Sequence, residues 1–282
     1  MNEIMKTTAT DQLRAWGRYK PPDQITVRGL TYRRKKIFKH DFFALTALFE
    51  LKSDINLENK KAPAKVVLKL GRRRNFLGLP LDWLGRALCR HEISILKRLQ
   101  HLSQVPRLLG LHSNIGFIYE YIEGCSLDEE PSLPDDFFDR MEDLMRRIHA
   151  CRIGYVDMNK RGNILLGRDN LPYLIDFQIS YHVSCPPWPL RKPADSILNA
   201  LQREDFYHLF KHKRRLCRHL MDDLQMMKSQ RKSRLILAHR IVARPLTRLR
   251  RKILSFLFRS GHLVMDDITV NTPENDPSRW EK

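Results

Sequence analysis

The stretch YVDMNKRGNILLGRDNLPYLIDFQ, residues 155–178, decides the fold. Two short apolar runs, Ile164–Leu166 and Pro172–Ile175, flank the turn residues GRDN, a pattern that predicts an antiparallel hairpin. Such a hairpin sets the residue before its first strand beside the residue after its second, here Asn163 and Asp176. An amide oxygen and a carboxylate side by side, with water and phosphate oxygens in the remaining positions, suit Mg²⁺. Asp157 stands six positions ahead of Asn163 in a polar loop with Lys160 and Arg161. A carboxylate there can take a proton from a hydroxyl nucleophile while the cations hold phosphate oxygens. Singly, each of these residues reads first as turn chemistry. Three of them around one hairpin form a pattern.

Working outward toward the N-terminus, AKVVLKL (64–70) reads as a strand on which Lys65, Val67 and Lys69 face one way and Val66, Leu68 and Leu70 the other. Alone, Lys69 reads as an edge charge. The preceding run ALTALFEL (44–51) is a second strand, joined to the first by the polar KSDINLENKKAP as a hairpin with a long loop. A helix is expected from about Trp83 to Leu102, with Leu84, Leu88, Ile95, Leu96 and Leu99 as its apolar stripe. Glu92 lies inside that stripe, where a carboxylate needs a cationic partner. Either the glutamate snorkels over the edge of the helix, or it pairs with Lys69. PRLLGLH and IGFIYEYI continue as strands, DEEPSLPDD is a linker, and residues 136–151 form a helix. Beyond the hairpin comes the proline-rich SCPPWPLRKP, after which the chain reads as helical. The class is α+β in two lobes. The expected divisions are an N-terminal extension at 1–26, a strand-rich lobe at 27–123, a helical lobe at 124–261 and a tail at 262–282.

Composition narrows the setting. The chain has 282 residues, 42% hydrophobic, with no run of ~18 apolar residues that would cross a bilayer. Its start lacks the apolar core of a secretory signal, and its five scattered cysteines suit a reducing cytoplasm rather than a disulfide scaffold. The net charge of +19 is uneven, since residues 201–260 hold 17 Lys/Arg against 4 Asp/Glu. Within LTRLRRKILSFLF (246–258), Leu246, Leu249, Ile253, Phe256 and Leu257 form one apolar stripe beside a basic face. That helix packs on its own domain with a solvated basic face, rests on anionic lipid, or binds nucleic acid. No nucleic-acid motif accompanies it, so lipid is preferred to nucleic acid.

The order of lysine strand, glutamate helix, IYEYIEG segment, YVDxxxxxN loop and DFQ resembles the protein-kinase-like fold. By that resemblance Lys69 contacts the α/β-phosphates of ATP and Glu92 pairs with it. Val67 lines the nucleotide, Glu120 and Ile122 belong to the hinge that bonds adenine, and Tyr119 takes the gatekeeper place. Asp157 is implied as the catalytic-loop base, and Asn163 and Asp176 as ligands of Mg²⁺. Lys160 neutralises the transferring phosphoryl group, and Asp205 braces the loop. The departures are specific. Tyr155 and Val156 replace His-Arg, the Asp157–Asn163 interval is one step long, and Gln178 replaces a glycine. No glycine-rich loop precedes Lys69, so Lys39, His40, Asp41 and Phe42 would have to cover the phosphates. Asp205 follows Asp176 by only 29 positions, which implies a reduced activation segment.

These shortcuts resemble the bacterial lipopolysaccharide kinases of the Kdo and heptose group, and the RIO kinases. The expectation is an ATP- and Mg²⁺-dependent kinase acting on an acceptor hydroxyl, with a lipopolysaccharide sugar first and a protein Ser/Thr hydroxyl second. A nucleotide-binding pseudokinase without turnover is the alternative from another class. The expected place is the cytoplasm, with peripheral contact at an anionic inner membrane face and no nucleic-acid partner.

Overall fold

Six strands make one sheet, in the spatial order β1-β2-β3-β4-β6-β5 with every neighbouring pair antiparallel. They are β1 (Gln24–Val27), β2 (Leu30–His40), β3 (Ala44–Leu51), β4 (Lys65–Gly71), β5 (Leu108–Leu111) and β6 (Gly116–Glu120). The computed structural model describes residues 13–52, 62–76, 78–184 and 187–230. The basic helix expected at 246–258 and the tail lie outside the described residues. Helix α1 (Asp82–Leu99) stands between β4 and β5 in the chain. Then follow β7 (Gly124–Ser126), α2 (Phe137–Ala150), β8 (Ile153–Gly154), β9 (Ile164–Gly167), β10 (Pro172–Leu174), β11 (Tyr181–His182), α3 (Trp188–Leu216) and α4 (Asp223–Gln230). An α+β chain with an antiparallel N-terminal sheet and C-terminal helices is what the sequence led one to expect. None of the described helices is long and apolar enough to cross a membrane.

The described chain divides into two compact units. One holds the sheet and α1 through His91; the other holds 92–107 and the described residues from Ile122 to Gln230. In the sheet unit, alternation along each strand sends one set of side chains to a common core. Ala47, Leu68 and Ile118 stand in one cross-strand row, joined by Leu45, Phe49, Val66, Leu70, Tyr32 and Leu109. β4 lies between β3 and β6 and is buried on both faces, so Lys69 is not an edge charge.

The described part of the N-terminal segment, from residue 13, belongs to this unit. Ala15 N–H donates to the Asp41 carbonyl at 2.7 Å, and the Ala15 carbonyl accepts from Arg73 and Arg74, both at 2.9 Å. Trp16 Nε1 donates to the Gly71 carbonyl at 2.9 Å. The end of β4 also approaches the first turns of α1 so closely that a Cβ on Gly71 would sit 2.6 Å from the Gly85 carbonyl oxygen.

In the second unit α2 buries Phe137, Met141, Leu144, Met145 and Ile148, the stripe its periodicity sets. β9 pairs with β10 and with β7, and β11 pairs with β8. The residues after Trp188, read from the sequence as a proline-rich connection, are instead the opening turns of α3, with one proline in the first turn and Pro193 inside. A proline near a helix start forfeits little, because the first N–H groups have no intrahelical partner.

Candidate functional site

The sheet unit presents two groups of the expected site. Val66, Leu68 and Leu70 point into the core, so Val67 and Lys69 occupy the opposite face. There Lys69 stands in register with Thr46 and Phe117, and Val67 with Leu48 and Tyr119. Lys69 is only 6% exposed. Glu120 closes β6, and the Tyr121 amide is used within the sheet, donating to the Lys65 carbonyl at 3.2 Å.

The β2–β3 turn departs from expectation. Asp41 Oδ1 accepts from the amides of Phe43 and Ala44, both at 2.8 Å, so those N–H groups are not aimed at a ligand. The carboxylate of Asp41 also holds Lys39 at 2.7 Å, and His40 Nε2 accepts from the Trp16 amide at 3.2 Å. Arg72, fully buried, donates to the Phe42 carbonyl at 2.8 Å and stacks its guanidinium 3.9 Å from the Phe42 ring centroid. Lys39, His40, Asp41 and Phe42 therefore form a pinned turn rather than an adaptable phosphate cover. Burial and then Arg74 lower the Arg72 pKa to about 10, which leaves it charged at neutral pH.

The second unit assembles the loop chemistry. The β9–β10 register pairs Ile164 with Leu174, and the Ile175 amide donates to the Asn163 carbonyl at 3.0 Å. Asn163 thus lies opposite Ile175, one position short of the pairing with Asp176 that the sequence suggested. Asn163 Nδ2 donates to Asp157 Oδ2 at 2.9 Å, and Lys160 Nζ reaches the same oxygen at 2.9 Å. Asp157 is 8% exposed. Burial pushes its carboxyl above the ordinary range, Lys160 opposes this, and the charge of Asp176 adds to the rise. The extra step between Asp157 and Asn163 is absorbed by two consecutive turns, Lys160 N–H to the Asp157 carbonyl and Asn163 N–H to the Lys160 carbonyl, both 3.1 Å. Glu92, 3% exposed, accepts from the Phe177 amide at 3.2 Å, so it does not snorkel.

Arg161 is not disposed to hold phosphate. It sits between Asp128 at 3.3 Å and Glu130 at 3.1 Å. The glycine missing at Gln178 is not missed either: Asp176 takes the left-handed conformation, at φ 60°, and Gln178 does not. Val156 is also left-handed, at φ 71°, a strained state for a β-branched residue.

Asp205 holds that strain in place. It is 1% exposed and accepts from the amides of Tyr155 and Val156, both at 2.8 Å, and from His149 Nε2 at 3.0 Å. Sequence reasoning missed the part of Tyr155, whose buried hydroxyl donates to the Ile175 carbonyl and whose ring meets Phe177 edge-on at 5.1 Å. An aromatic two places before the loop aspartate was the available signal. On the basic run of α3, His212 and Lys213 are buried, the latter on Asp139 at 2.8 Å.

An amide and a carboxylate offer Mg²⁺ two hard oxygen ligands, few enough for an ion that keeps waters and phosphate oxygens. The donor set of Asn163 and Asp176 fits that ion.

No protein-family model matches the chain. No curated protein matches it. Among solved structures, the crystal structure of the Rio2 kinase–ADP/Mg²⁺–phosphoaspartate complex from Chaetomium thermophilum aligns with a TM-score of 0.49 and 16% identity, over 71% of this chain and 58% of that one. The chain therefore spans less than two thirds of the length of that structure. The strand order, the interior lysine strand, the loop–hairpin unit and the aspartate that holds the loop follow one another in the chain order that the sequence led one to expect.

Proposed function

We propose that the chain is an ATP- and Mg²⁺-dependent phosphotransferase that moves the γ-phosphoryl group to an acceptor hydroxyl. One observation carries the reading: the hairpin sets Asn163 opposite Ile175, the residue before Asp176, while the Asn163 amide binds the Asp157 carboxylate. Asp157 takes the hydroxyl proton, and its burial favours that uptake. Lys160, beside it, balances charge on the transferring group. Asn163 and Asp176 would hold the metal, which supplies charge neutralisation on the phosphates. Lys69, with Glu92 as its proposed partner, would fix the α/β-phosphates, and Val67, Glu120 and Ile122 would line the base. The protein makes no covalent bond, and catalysis is positioning plus electrostatics.

The acceptor we favour is a sugar hydroxyl of a lipopolysaccharide-type molecule, with a protein Ser/Thr hydroxyl second. The +19 charge supports an anionic acceptor and a place of action in the cytoplasm at an anionic membrane face. The pinned β2–β3 turn favours a second reading, a nucleotide-binding pseudokinase, because its amides are taken by Asp41. Incubation with γ-labelled ATP and lipid A–core sugars, total protein or small sugar acceptors separates the two. Label transfer that Asp157→Asn abolishes, with ATP affinity kept, supports the enzyme. Full transfer in Asp157→Asn overturns the assignment, and ATP binding without transfer to any acceptor supports the pseudokinase.

A further inference from the structure

The loop that carries Asp157 is tied to α3 through Asp205, which was legible beforehand, and again further along the helix. One further tie is His212. It is 4% exposed, and its Nε2 lies 2.9 Å from the Met158 carbonyl oxygen. A carbonyl only accepts, so Nε2 carries the hydrogen. The next residue along the loop is held as well, since Lys211 Nζ donates to Asn159 Oδ1 at 3.0 Å. Asp205 and His212 are seven residues apart on α3, two helical turns, and so lie on one face. The loop between their attachment points is Val156–Met158, which contains the strained left-handed Val156 and the Asp157 carboxylate. A conformation that unfavourable persists only when neighbouring contacts over-determine it. Asp205 fixes the two amides on its N-terminal side, and nothing but His212 is seen to fix the Met158 carbonyl on the other side among the described residues.

We infer that His212 is a positioning residue: it clamps the Met158 carbonyl so that the Asp157 carboxylate keeps its reacting direction. The inference rests on the phosphotransferase reading for its effect on turnover, and on geometry alone for its effect on the loop. The imidazole is neutral at physiological pH, because burial above all, with nearby Lys211, Arg161 and Arg215, lowers its pKa to about 4. It therefore donates as a neutral group and adds no charge beside Asp157.

The test uses the full chain and three proteins: wild type, His212→Phe and His212→Gln. Phenylalanine fills the space without a donor, whereas the glutamine amide N–H reaches the same carbonyl. Turnover, ATP affinity and amide hydrogen exchange at Lys160 and Asn163 are measured on each, those two amides being hydrogen-bonded within the loop. In His212→Phe, kcat is expected to fall on the order of 10- to 100-fold, with ATP Kd within about twofold and loop exchange about 10-fold faster. In His212→Gln all three return to within about threefold of wild type. Unchanged exchange in His212→Phe overturns the clamp, and faster exchange with unchanged kcat overturns its catalytic purpose. A glutamine variant as impaired as the phenylalanine one overturns the hydrogen bond as the cause. A wild-type protein that binds ATP and transfers nothing refutes the phosphotransferase reading instead, and loop exchange alone then decides the clamp.

Discussion

Replacing Asp205 by asparagine should destabilise the protein out of proportion to the one atom changed. The buried carboxylate receives three donors: the Tyr155 and Val156 amides at 2.8 Å each and His149 Nε2 at 3.0 Å. Hydrogen bonds to a charged group contribute ~1.5–3 kcal/mol each. Asparagine keeps one accepting oxygen and turns an NH₂ toward a buried N–H. With that oxygen in the place of Oδ2, the charge-assisted bond from Val156 is lost, those from Tyr155 and His149 are weakened, and a buried donor is left facing a donor. The summed cost is about 3–4 kcal/mol. For a chain of this size each kcal/mol lowers Tm by roughly 2–4 °C, so a fall of roughly 6–16 °C is expected. Thermal unfolding followed by circular dichroism at fixed pH and salt reads it directly. Turnover should drop more than ATP affinity, because Val156 can relax and carry Asp157 with it. A Tm within about 2 °C of wild type, with normal turnover, would refute the view that Asp205 holds the loop under strain.

Gly85→Ala places a Cβ against the Arg72 backbone, well inside contact distance, and should cost about 1–3 kcal/mol or more, read as a lower denaturation midpoint. Arg72→Leu removes the donor to the Phe42 carbonyl and the stacking on Phe42, so the β2–β3 turn should open to proteolysis at Phe42–Phe43 where the wild type resists. His208 and His212 both have pKa values lowered to about 4 by burial, against about 6.5 in the unfolded chain. Between those values the unfolded state binds more protons, so stability is full above pH 6.5 and falls as pH drops toward 4. Tm recorded from pH 7 to pH 4.5 should decline, less steeply in His212→Gln; a flat profile contradicts the burial of these rings.

Much of the site was legible because its residues sit at positions that secondary structure fixes. A tight antiparallel turn brings Asn163 opposite Ile175, the neighbour of Asp176, and period-two alternation sets Lys69 opposite the core residues Leu68 and Leu70. The boundaries of α1 and α2 were also close, since apolar stripes define them: Asp82–Leu99 against an expected 83–102, and Phe137–Ala150 against 136–151. What stayed hidden depends on contacts between distant segments. Nothing local says that Arg161 is claimed by Asp128 and Glu130, that Arg72 reaches back to Phe42, or that His212 finds the Met158 carbonyl. Nor does composition separate a solvated lysine from Lys213, which is buried against Asp139. The proline-rich start of α3 misled for a local reason, because prolines that end a helix elsewhere are tolerated in its opening turns.

The central claim is that Asn163 and Asp176 share a divalent cation with bound nucleotide while Asp157 serves the acceptor. Calorimetric titration of ATP, with and without Mg²⁺, into wild type, Asp176→Asn and Asp157→Asn tests it directly. Wild type should bind at least about tenfold tighter with Mg²⁺, Asp176→Asn should lose that gain, and Asp157→Asn should keep it. Equal Mg²⁺ dependence in wild type and Asp176→Asn would contradict the claim.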